Sequence, residues 1–137
     1  MRMAKLFLLA DDDIDDAELF NEAVMKIDPP VDFHHVDDGR DVFQFLENDK
    51  GKKPDIIFLD INMLQVTGWE CLLLLKQNEE YHSIPVIMYT TSASNLDKEK
   101  AKKLGASGFL TKPSDFRVLV SILRGFANSE SISLWGL

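Results

Sequence analysis

Asp60 follows four apolar residues, Ile56, Ile57, Phe58 and Leu59. A second apolar run, Lys5–Ala10, ends in Asp11-Asp12-Asp13. A third, residues 84–90, ends in Thr90, and the short Gly108–Thr111 run is followed by Lys112-Pro113. If these runs are strands pointing one way, each delivers its polar end group to the same edge. Carboxylates crowded there, Asp11, Asp12 and Asp60, would repel one another unless positive charge intervenes. Oxygen-rich sites of carboxylates with a backbone carbonyl suit Mg²⁺, which keeps several waters and binds one or two carboxylates plus a phosphate. Lys112 offers a point charge for phosphate oxygens, and the Thr90 hydroxyl can donate to another. No Cys or Ser nucleophile stands in this set. The chemistry indicated is phosphoryl handling with a carboxylate as nucleophile.

The elements must place these groups. Short, β-branched and aromatic-rich runs such as residues 56–59 read as strands buried on both faces, and chemistry in an open α/β sheet sits at the carboxyl ends of its strands. Between them lie helical patterns. Residues 14–27 repeat Ile14, Ala17, Leu19, Phe20, Ala23, Val24 and Ile27 at helical spacing, with Asp13, Asp15 and Asp16 at the favoured N-terminal end and Pro29-Pro30 beyond. Val31–Val36 alternates as a more exposed strand, and Asp37-Asp38-Gly39 reads as a turn. Helices are expected over 41–48, 68–80, 95–104 (inner side Leu96, Ala101 and Leu104) and 115–128, with Gly105 ending the fourth and Ser114 capping the fifth. The order is β-α five times over with short connections. It predicts an α/β fold: a five-stranded parallel sheet with helices on both faces.

The totals set outer bounds. At 137 residues one domain is expected, and a chain near this length buries roughly 68% of the surface its unfolded form exposes. The net charge of −8 leaves no basic excess to neutralise phosphates, so nucleic-acid binding is not expected. No apolar run approaches the ~18 residues of a membrane span, and the start of the chain does not read as a secretory signal. The single Cys71 cannot form an internal disulfide, which fits a cytoplasmic setting; it reads as a small packing residue.

Together, the acidic pair in LLADDD, the FLDINM segment, PVIMYTTS and GASGFLTKP, in this order and at these strand ends, resemble the receiver domain of a two-component response regulator. The resemblance runs from Lys5 to about Asn128. It implies a flavodoxin-like (βα)5 receiver fold, one domain over residues 1–137 with a tail at 129–137. It implies Asp60 as phosphoacceptor, Asp12 on Mg²⁺ directly, Asp11 beside it and partly through water, and Asn62 offering its backbone carbonyl. Thr90 and Lys112 would contact the phosphoryl group, with Thr90 and Phe109 as switch residues and the Lys112-Pro113 bond cis. The phosphoryl donor would be a sensor histidine kinase or phosphotransfer protein. The output would be altered binding of an unknown downstream protein, with a homodimer through the fourth helix, fifth strand and fifth helix as one form. Only SESISLWGL follows the last helix, so a stand-alone regulator is expected, similar to those paired with phytochromes.

Two positions depart from the family pattern. Leu64 and Gln65 stand where Pro and then Gly are common, which leaves the loop after Asp60 less restricted in the unfolded chain. Phe109 lacks the hydroxyl of the Tyr often found there. Competing readings fare worse. An unphosphorylated interaction scaffold would not need the acidic pair, Asp60, Thr90 and Lys112 together. A flavin protein of this topology would need a phosphate-binding loop after the first strand, where Asp11-Asp12-Asp13 repels phosphate instead. A calcium loop over residues 11–22 lacks the required Gly, having Asp16 in its place.

Overall fold

The computed structural model describes residues 4–48 and 52–129. Five strands form one parallel sheet: β1 Lys5–Ala10, β2 Val31–Val36, β3 Ile56–Leu59, β4 Val86–Thr90 and β5 Gly108–Thr111. Their order is β2-β1-β3-β4-β5, so β3 is central and β2 and β5 are the edges. The helices are α1 Ile14–Met25, α2 Gly39–Asn48, α3 Gly68–Gln77, α4 Asn95–Lys103 and α5 Phe116–Asn128.

Strand periodicity divides the core between two faces. Phe7, Leu9, Ile56, Phe58, Ile87 and Tyr89 point to one face and pack with α1 and α5. Leu8, Ala10, Ile57, Leu59, Val86 and Met88 point to the other and pack with α2, α3 and α4. Phe58 sits centrally on the first face, its ring edge-on to Phe7 at 5.5 Å and to Phe20 at 5.0 Å between centroids. Burial on both faces is why the central strands read as unbroken apolar runs.

Several details differ from the sequence expectations. Leu96, expected on the inner side of α4, is 78% exposed, and Ile14 and Leu19 of the α1 repeat are exposed as well. Their spacing fits a helix, but spacing fixes a repeat and not which way it is turned. Leu72 and Leu75 of α3 are buried while Leu73 and Leu74 face outward. α3 ends at Gln77, because the Asn78 side chain bonds the Glu80 and Tyr81 amides and turns the chain. α5 is capped by Asp115 rather than Ser114; the Asp115 carboxylate accepts from the Arg117 amide. Gly105 does end α4, at φ +96°, a conformation that costs residues with a Cβ. Trp135 and nearly all of the 129–137 tail lie outside the described residues.

Candidate functional site

Asp11, Asp60 and Lys112 each sit one step past a strand, fixed there by backbone bonds that extend the ladder, and Thr90 is the last residue of β4. The Asp11 amide donates to Val36 O at 3.0 Å, the Asp60 amide to Ala10 O at 3.0 Å, and the Lys112 amide to Thr90 O at 2.7 Å. Parallel strands in this register bring the four ends to one edge, as the sequence predicts.

Asp11 is fully buried, while Asp12 beside it is exposed. Asp60 is 7% exposed and Thr90 1%. One carboxylate oxygen from each of Asp11, Asp12 and Asp60 lies within 4.8 Å of the others. The Lys112 ammonium enters the same space. Its Nζ is 2.8 Å from Asp11 Oδ2, 2.7 Å from Asp16 Oδ2 and 3.4 Å from Asp60 Oδ2, and it lies 5.5 Å from the centre of the Tyr89 ring.

Burial pushes the Asp11 carboxyl up to about 6, with Asp60 adding to it and Lys112 and the Asp13 amide opposing. Burial also works against the Lys112 ammonium, but the facing carboxylates of Asp11, Asp16 and Asp60 outweigh it and hold its pKa above the ordinary lysine value. The charges therefore depend on one another: the carboxylates of Asp11, Asp16 and Asp60 share one cation.

The set fits a hard divalent cation. Asp11 Oδ2 is buried and accepts no well-aligned hydrogen bond, the Lys112 contact being close but off-line. A buried carboxylate oxygen in that condition is costly unless something positive meets it, and converging carboxylate oxygens are the hard donors that Mg²⁺ takes.

The Lys112-Pro113 bond is not cis. The cis bond among the described residues is Asp28-Pro29. The lysine needs no such bend, because the β5 ladder and three carboxylates already aim it, and trans is the favoured isomer by ~0.5–1 kcal/mol. Phe109 is 8% exposed, packed into the core face shared with α4. Asn62 is exposed two residues past Asp60.

Three supporting residues escaped the sequence reading. Asp16 is the second short partner of Lys112. His35 donates from Nε2 to the Asp11 carbonyl at 2.7 Å, holding the acidic loop from β2. Asp38 binds the loop after Asp60: its carboxylate accepts from Arg40 N (2.9 Å), Gln65 N (2.7 Å) and Val66 N (3.1 Å). Burial raises the Asp38 carboxyl, but these three amides outweigh it and hold its pKa below the ordinary carboxylate value. An Asp directly before a helix is a capping signal and could have flagged Asp38. Asp16 and His35 act across 96 and 24 residues, and no local pattern marks such contacts.

Glycines close the same loop. The Gly68 amide donates to Ile61 O at 2.9 Å, and a Cβ at Gly68 would lie 2.1 Å from Asp60 O. Cys71 is a packing residue, as expected; burial, with Asp38 nearby, pushes its thiol up to about 12, so it stays protonated.

Comparison with known proteins agrees with this geometry. The response regulator receiver domain family matches residues 7–124. Protein PilG of Pseudomonas aeruginosa is 33% identical over 65% of this chain and 66% of its own length, just short of two thirds of that relative. Response regulator Rcp1 of Synechocystis is 29% identical over 88% of this chain and 85% of its own. The Mn²⁺-bound structure of Rcp1 superimposes with a TM-score of 0.81 at 26% identity, covering 95% of this chain and 99% of that one. The phosphorylated cyanobacterial phytochrome response regulator RcpA gives 0.81 at 26% identity, covering 90% and 91%. Among the described residues no helix is long and apolar enough to cross a membrane. With its family match, strand order and acidic edge in agreement, the chain belongs to the response regulator receiver domains of two-component systems.

Proposed function

We propose that this chain accepts a phosphoryl group on Asp60 from a phosphohistidine of a sensor kinase or phosphotransfer protein, and signals by changing what it binds. The observation that carries this is the convergence at Asp60: two further carboxylates within 4.8 Å and an ammonium 3.4 Å away. A lone strand-end aspartate would not need that company. The Mn²⁺-bound form of Rcp1 and the phosphorylated form of RcpA support the same reading by analogy.

In the reaction, an Asp60 carboxylate oxygen attacks phosphorus in line, the bond to the donor imidazole nitrogen breaks, and an acyl phosphate results. Asp11, Asp12 and the Asn62 backbone carbonyl would hold Mg²⁺, which offsets charge on the transferring group when bound. Lys112 supplies the fixed positive charge that this chain contributes itself. Thr90, buried beside the site, offers its hydroxyl to a phosphoryl oxygen. The chain acts on its own acyl phosphate, which water slowly hydrolyses, and is not an enzyme toward other substrates.

The readout lies on α4, β5 and α5. Thr90 and Lys112 are joined through their backbones, and Thr111 Oγ1 donates to Ser92 O at 2.8 Å, so a pull on Thr90 reaches β5 and the segment leading to α4. Phe109 already lies inside, so the switch consists in holding it there rather than bringing it in. Leu96 and Val118 are exposed on α4 and α5, where a partner or a second copy would cover them.

The test is to incubate the chain with Mg²⁺ and acetyl phosphate and weigh it intact. One alkali-labile phosphoryl group, absent in Asp60→Asn, is expected. A chain that takes no phosphoryl group from acetyl phosphate or a phosphohistidine donor would instead be an interaction scaffold.

A further inference from the structure

We propose that Asp16 is the resting partner of Lys112, and that phosphorylation of Asp60 draws the ammonium off Asp16 and so unties the start of α1 from the end of β5. The proposal rests on the phosphoacceptor reading and adds a regulated contact to it.

The geometry around the ammonium supports it. A lysine ammonium has three hydrogens. One is donated to Asp16 at 2.7 Å and one to Asp60 at 3.4 Å, near the outer limit of a hydrogen bond, while Asp11 Oδ2 lies 2.8 Å from the nitrogen but off-line. A phosphoryl group on Asp60 adds roughly −1.5 to −2 charge and new acceptor oxygens on the side where the lysine's contact is now longest. Shortening that contact moves the nitrogen toward Asp60 and lengthens its contact with Asp16 or Asp11.

Asp11 is the costly partner to leave, because its side chain has no access to water. The Asp16 side chain is 30% exposed and exchanges the ammonium for water. Its backbone stays in place when the side chain lets go, since the Asp16 amide is capped by Asp13 Oδ1 at 3.1 Å. The contact therefore opens without unwinding α1. Favourable placement of acids in a helix first turn explains why an Asp stands there. It does not explain a 2.7 Å contact with a lysine 96 residues away.

The full chain and its Asp16→Asn and Asp16→Glu variants are titrated with beryllium fluoride in Mg²⁺, a non-covalent stand-in for the phosphoryl group, and followed by amide NMR. Removing the competitor is expected to tighten fluoride binding about two- to fivefold in Asp16→Asn, the range for a partly exposed ion pair. Asp16→Glu stays near wild type. The first-turn amides of α1 shift on saturation in the wild type, and in Asp16→Asn they lie near the saturated positions from the start. Equal or weaker binding in Asp16→Asn, or first-turn amides that ignore saturation in the wild type, overturns the proposal and leaves the phosphoacceptor reading standing. A wild-type chain that neither binds the fluoride nor takes phosphate from acetyl phosphate overturns both.

Discussion

Asp38 Oδ2 accepts the Gln65 amide at 2.7 Å, so a residue ahead of α2 holds the loop that follows the phosphoacceptor. That loop lacks the Pro and Gly common in the family, with Leu64, 88% exposed, and Gln65 in their place. The constraint is supplied from outside the loop. Asp38→Ala strands the Arg40, Gln65 and Val66 amides and is expected to cost about 1–3 kcal/mol in urea unfolding. It should also slow phosphorylation of Asp60 without abolishing it.

The same carboxylate gives a pH signature. The folded pKa of Asp38 lies below its ordinary value of 3.8. Its stabilisation is therefore fully present above that value and is lost as pH falls through the lower folded pKa. The stability gap between wild type and Asp38→Ala is expected to be constant from pH 7 to 5 and to narrow below pH ~4. A gap that widens on acidification would contradict the assignment.

Gly68→Ala places a methyl 2.1 Å from the Asp60 carbonyl oxygen, which belongs to backbone and cannot swing away. Overpacking of this kind costs about 1–3 kcal/mol or more. Because the displaced group is the phosphoacceptor's own carbonyl, phosphoryl yield from acetyl phosphate should drop further than stability does. The two are read from urea midpoints and intact mass.

Mg²⁺ is expected to raise the melting temperature by meeting the crowded carboxylates. At about 100 times its Kd, a ligand bound only by the folded state adds about 2.7 kcal/mol. Chelation reverses this. Asp12→Asn, which removes the exposed member of the set, should abolish most of the increment while leaving the metal-free melting temperature close to wild type. Scanning calorimetry with and without the ion decides it.

Lys112→Ala should still fold, yet less stably without metal than a surface lysine variant would. It leaves Asp11 buried without its cation, a situation costing about 3 kcal/mol at most here because Asp11 can take up a proton. Mg²⁺ should recover part of the loss. Phosphorylation in this variant should no longer alter partner affinity, measured by calorimetric titration against the partner kinase.

Much of this was legible in the chain because parallel strands buried on both faces announce themselves as apolar runs. The polar residue ending each run is then a site candidate by position alone, and Asp11, Asp60, Thr90 and Lys112 were found that way. Leu96, expected on the inner side of α4, faces outward because helical spacing is satisfied by more than one rotation of a helix against the sheet. Asp16 and His35 were hidden for a different reason. Their partners are distant in sequence, and an acid in a helix first turn or a histidine in an edge strand has an ordinary explanation that conceals a specific one.

The central place of β3 has a consequence for how the molecule opens. Asp60 hangs from a strand paired on both sides, while Lys112 follows β5, which is paired on one side only. Edges fray before centres do. Amide hydrogen exchange should therefore be slowest along Ile57 to Leu59 and measurably faster along β5. The group that receives the signal is anchored on a strand held from both sides, and the group that reports it follows an edge strand with more freedom to yield.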